Sequence, residues 1–133
     1  MKPSAISVQR VYEGIGPDGH YRALVDRMWP RGLRRADLAL DEWAKDLAPS
    51  SELRKWFCHV DERWDTFREK YLAELAEPEQ QARMDALLQA AGARPVTLLY
   101  GARDTEHNQA VVLRDALQEY ARHHRKRLAR ASG

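Results

Sequence analysis

The chain has 133 residues, 44% hydrophobic and 32% charged, which is the size and balance of one folded domain. No apolar run approaches the ~20 residues that cross a bilayer, and the first eight residues lack a signal peptide's apolar core and cleavage site. A single cysteine, Cys58, excludes an internal disulfide framework and a Cys-rich zinc module.

A cytoplasmic protein with no membrane partner is the expectation. The formal net charge of +2 hides an asymmetry. Residues 120–133 hold Arg122, Arg125, Lys126, Arg127 and Arg130 with no acid, and the rest of the chain carries 17 basic against 20 acidic residues. A second basic zone, residues 22–35, sets Arg22, Arg27, Arg31, Arg34 and Arg35 against Asp26 alone.

In chain order, Ile6, Val8 and Tyr12 have strand spacing, and the glycines and proline between residues 13 and 19 end that strand in a turn. Residues 21–26 read as a second strand around Ala23, Leu24 and Val25. Pro30 then forces Trp29 towards extended geometry, so a rigid loop follows. Leu40, Trp43 and Leu47 form a short helical stripe. Ser50 is a natural N-cap for a next helix carrying Leu53, Trp56 and Phe57, with Glu52 in its first turn. Asp61 is expected to cap a third helix, with Trp64, Phe67, Tyr71, Leu72 and Leu75 on its apolar face. Pro78 opens a fourth, with Met84, Leu87, Leu88 and Ala91, and Gly92 stops it. Residues 95–100 are the best strand in the sequence. After a polar loop, a long helix runs from about His107, with Ala110, Val111, Leu113, Leu117 and Tyr120 on its apolar face. Strands alternating with helices predict an α/β domain: a small, mostly parallel sheet flanked by helices in residues 1–121, with 122–133 as a basic tail, frayed or disordered at its end.

In such sheets ligands bind beyond the carboxyl ends of the strands. Two polar segments leave such ends, Asp26 to Gly32 and Gly101 to Asn108. Arg27, Arg31 and Arg103 supply guanidinium groups suited to phosphate or carboxylate, and the second loop leads into a helix N-terminus. His107 and Asp104 are the residues expected to handle protons if the protein is an enzyme. The same charges serve equally well to pin two loops together, Asp26 with Arg103 or Asp104 with Arg27. Trp29 is placed to wall a pocket, and Asn108 or Thr105 to cap the helix. The histidines are scattered, so no metal site is expected. The sequence leaves open a haem held by a lone histidine or Tyr100. Cys58 reads as a small buried hydrophobe.

The series Tyr21 to Gly32, Lys45 to Ser50, Leu53 to Phe57, Leu98 to Asp104 and Glu106 to Leu113 resembles the YeaO-like branch of domain-of-unknown-function family 488, over about residues 6–120. The resemblance implies motif positions at Asp26, Arg27, Trp29, Pro30, Arg31, Gly32, Lys45, Asp46, Ser50, Arg54, Trp56, Asp104, His107 and Asn108. It carries no reaction with it. The longer branch of that family has a cysteine where Tyr100 stands and a Cys-His-Arg series near residues 108–110. This chain has neither, so thiol catalysis does not carry over.

The leading expectation is therefore a pocket for a small phosphorylated or carboxylated ligand, formed by Asp26, Arg27, Trp29, Arg31, Arg103 and Asn108, with or without chemistry by His107 and Asp104. Two other classes fit the same residues: a nucleic-acid-binding or regulatory module using the Arg-rich loop and basic tail, and a non-catalytic ligand sensor, haem included. No cofactor and no oligomeric state follow from the sequence.

Overall fold

A computed structural model describes residues 5–13, 19–58, 60–124 and 128. Four strands form one all-parallel sheet: β1 (Ile6–Arg10), β2 (Tyr21–Leu24), β3 (Glu42–Trp43) and β4 (Val96–Tyr100), in the order β1-β4-β2-β3. The central strand is β4, and all five of its residues are buried. Its near-continuous apolar run suits a strand covered on both faces. In register, Ala23 sits beside Leu98 and Leu24 beside Leu99, so the carboxyl ends of β2 and β4 lie together.

Alternation along the strands divides the core. Tyr21, Ala23 and Val25, with Val96, Leu98 and Tyr100, enter a large cluster with the helices α2 (Ser51–Phe57), α3 (Trp64–Leu75), α4 (Pro78–Ala91) and α5 (Gln109–His123). Leu24 and Leu99 face the other way. There they meet Val11 and Leu38 in a small cluster edged by Trp29, Leu33, Leu40 and Trp43. The only α-helix covering that face among the described residues is the single turn α1 (Arg35–Leu38).

The helix expected over Leu40, Trp43 and Leu47 is not formed. Residues 42–43 are β3, and residues 45–47 are a 3-10 turn. The free edge of β2 decides this: Asp41 and Ala44 donate their N–H groups to Arg22 and Leu24 carbonyls at 2.9 and 2.7 Å. Leu40 and Trp43 pack on the small face and Leu47 on the large one, so the three never share a helix side. Tyr12 also leaves its strand, which ends at Arg10 and tightens into a 3-10 turn over residues 11–13.

Helix punctuation follows local chemistry. Ser50 caps α2, accepting from Leu53 N–H at 3.2 Å, and Pro78 opens α4, which Gly92 ends at φ +62°. Asp61 does not cap α3; it starts a 3-10 turn over residues 61–63 that feeds α3 at Trp64. The turn around residues 14–18, His59, and residues 125–127 and 129–133, which include most of the basic tail, lie outside the described residues. No helix among the described residues is long and apolar enough to cross a membrane.

Candidate functional site

Where β2 ends, Val25 donates its N–H to Leu99 O at 2.9 Å, and the chain turns outward at Asp26. That carboxylate reaches across to the segment after β4. Its Oδ2 accepts from Gly101 N–H at 2.8 Å, and its Oδ1 accepts from the side-chain amide of Gln109, the first residue of α5. The carbonyl of the same residue accepts the Trp43 indole N–H at 2.7 Å. Asp26 thus ties β2, β3, β4 and α5 together at the carboxyl edge of the sheet. Glycine at 101 makes this approach possible, because a Cβ there would stand 3.0 Å from Asp26 Oδ2. Burial pushes the Asp26 carboxyl up to about 6, although the Gly101 N–H, the Arg54 charge and the Gln109 amide all pull it down.

Asp26 and Gln109 stand in the wall of an open cavity of about 370 Å³ at this sheet end. Phe57, Phe67, Ala48 and Pro49 supply its apolar surface, and Arg27, Arg54 and Lys55 its positive charge. Phe57 and Phe67 stack with ring centres 4.3 Å apart. The Arg27 guanidinium is partly committed, through long hydrogen bonds of 3.4 and 3.5 Å to the Pro49 and Ala48 carbonyls. Arg54 attracts Asp26 without a hydrogen bond to it, and neither Arg54 nor Lys55 has a hydrogen-bonded or ion-paired side-chain partner among the described residues. Cys58 also borders the cavity. It is exposed rather than buried, and it closes α2 in a left-handed conformation at φ +44°.

Two larger cavities lie elsewhere. One of about 630 Å³ lies among α3, α4 and α5, where the bordering arginines already have carboxylate partners: Arg68 with Asp115, and Arg122 with Glu119. The other, about 510 Å³, shares Arg27 but is lined by Asp46, Glu74, Glu77 and Glu79; Glu74 is bonded there to the Ser50 N–H and hydroxyl.

The residues singled out from sequence do not share one place. Asp26 and Arg27 line the sheet-end cavity. Trp29, Arg31, Arg103 and Asn108 do not. The Trp29 ring lies edge-on to Trp43 with its indole N–H on Leu33 O at 2.7 Å, and Arg31 and Arg103 are exposed. Asn108 is fully buried, bonding Val111 N–H with its oxygen and Asp104 O with its amide, so it is the cap of α5. In the loop before it, Asp104 Oδ1 accepts from the Glu106 and His107 N–H groups at 2.9 Å each. Asp104 and His107 form a separate surface group with Asp61, and the His107 ring stacks on Trp64 at 4.7 Å. Tyr100 is buried at the end of β4.

Arg54, Lys55 and Gln109 are the cavity residues that pattern reading passed over. The only signal for Arg54 was its place in the family resemblance. Gln109 reads as an ordinary polar helix residue until the fold brings it to Asp26.

These features define a small α/β domain with an all-parallel sheet and a charged cavity over the carboxyl ends of its two central strands. The chain belongs to the family described as the inactive DUF488-N3 subclade, whose sequence profile matches residues 5–132. It is 50% identical over 113 residues to the uncharacterised protein YeaO of Escherichia coli, covering 85% of this chain and 96% of the relative. An uncharacterised protein of Mycobacterium tuberculosis is 39% identical over 117 residues, covering 88% of this chain and 97% of that one. No solved structure matches the chain.

Proposed function

We propose that this protein binds a small organic anion in the sheet-end cavity and does not turn it over. The observation that carries the reading is the pair Arg54 and Lys55, charged and without side-chain partners among the described residues, beside the half-committed Arg27. The one carboxylate there, Asp26, is already engaged by Gly101 and Gln109, so the cavity keeps a positive excess. The Phe57–Phe67 stack and Pro49 favour a ligand with an apolar body behind its phosphate or carboxylate.

Three considerations favour binding over catalysis. The family carries the description inactive. β4 ends in the buried Tyr100, so no thiol stands at that strand end. His107 and Asp104, the residues first considered for proton transfer, lie outside it.

Amide NMR titration with phenyl phosphate, benzoate and inorganic phosphate tests the reading. Gly101, Gln109 and the residues of α2 should shift with at least one of the organic anions. Arg54→Met keeps the stem and removes the charge, and should weaken that binding by about 1.5–3 kcal/mol, the range for a charge-assisted hydrogen bond, while leaving the melting temperature nearly unchanged. Shifts absent with all three probes, or equal in the variant, would overturn it.

A further inference from the structure

Asp61, Asp104 and His107 come from segments far apart in the chain, the turn before α3 and the loop after β4. In the fold their ligand atoms lie within 4.8 Å of one another. His107 Nδ1 stands 3.9 Å from Asp104 Oδ2 and 4.0 Å from Asp61 Oδ1. Those separations are too long for hydrogen bonds between the three groups, and they leave room for an ion among them.

We propose that these three side chains form a binding site for one divalent transition-metal ion, with zinc as the representative case. A cation centred among the three atoms would sit about 2.5 Å from each, a few tenths of an ångström outside zinc bonding distance. Asp61 closes that gap, because its side chain is 78% exposed and free to rotate inward. The other two ligands are already oriented. Asp104 commits Oδ1 to the Glu106 and His107 N–H groups and turns Oδ2 towards the imidazole. The His107 ring is held flat against Trp64, 17° from parallel.

The donor set selects the metal class. Two carboxylates carry the charge a dication neutralises, and the imidazole nitrogen favours zinc, cobalt or nickel over magnesium and calcium, which prefer oxygen. Three protein ligands on an exposed surface leave the remaining positions to water, as in open zinc sites. The bound ion would clasp the loop after β4 to the start of α3, next to the sheet-end cavity but not in it. This site stands independently of the anion reading.

The test is calorimetric titration of metal-stripped full-length protein with Zn²⁺, with Co²⁺ as an optical probe through its visible absorption. Because Cys58 and the paired His123 and His124 offer other donors, a background with Cys58→Ser, His123→Asn and His124→Asn is titrated in parallel. One saturable Zn²⁺ site is expected in both proteins, with a raised melting temperature. Asp61→Asn, an exposed change that leaves the Trp64 stack untouched, should weaken binding about tenfold or more, and His107→Gln further. No saturable binding up to about 1 mM Zn²⁺ would overturn the proposal. So would affinity unchanged by Asp61→Asn and lost with the Cys58, His123 and His124 substitutions.

Discussion

At Asp26 the sheet-end site and the stability of the fold meet in one side chain. Burial raises this carboxyl from its ordinary 3.8 to about 6, so the unfolded chain releases the proton first. Its contribution to stability is therefore complete below about pH 4, falls as the pH rises through 6, and stays low above that. The loss amounts to about 3 kcal/mol between those limits. Asp26→Asn should flatten that part of the pH profile and be the more stable form relative to wild type at pH 7, since an amide keeps an acceptor for Gly101 N–H and the Gln109 amide can reverse to meet it. Urea unfolding of both proteins at pH 4, 5 and 7 checks this. Parallel profiles for the two would place the dependence on another group.

At the level of elements, α5 depends on one buried side chain for its start. Asn108 accepts from Val111 N–H and donates to the Asp104 carbonyl at 2.8 Å, and neither contact is replaceable by water at full burial. Asn108→Ala should lower the unfolding free energy by about 2 kcal/mol, combining a lost cap with an orphaned carbonyl. Ser50→Ala, at the half-buried cap of α2, should cost nearer 1 kcal/mol, because solvent reaches both the Leu53 N–H group and the Glu74 carboxylate that lose the hydroxyl. Equal losses at both sites in denaturant titrations would mean that burial does not set the difference.

Across the whole molecule the sheet is covered unequally. Among the described residues one face carries α2, α3, α4 and α5, whereas the other is covered by α1, Val11 and the loop bearing Trp29, held edge-on against Trp43 at 5.3 Å. The thin cover should open without the rest unfolding. Amides of residues 33–41 should exchange at a lower free energy than those of β4. Leu38→Ala should speed exchange in that segment first, whereas Leu98→Ala, in the large cluster, should destabilise every element together by about 2–5 kcal/mol. A uniform response to Leu38→Ala would show that the two faces unfold as one unit.

What the amino-acid order determined by itself is whatever depends on neighbours within a turn or two. The run Val96 to Tyr100 reads as a buried strand, Ser50 and Pro78 as helix starts, and Gly92 as a stop, because backbone hydrogen bonding and side-chain periodicity act locally. The segment from Leu40 to Leu47 shows where that ends: its helical spacing yields to the unpaired edge of β2, a partner some twenty residues away that no local pattern displays. The candidate site divides along the same line. Asp26 and Arg27 stand out as charges leaving a strand, but the pairing of Asp26 with Gly101 and Gln109, the exposure of Cys58, and the meeting of Asp61 with His107 exist only once β2, β4, α3 and α5 are packed. Burial and convergence are properties of the assembled sheet end, so only the tertiary structure decides which of these charges share a site.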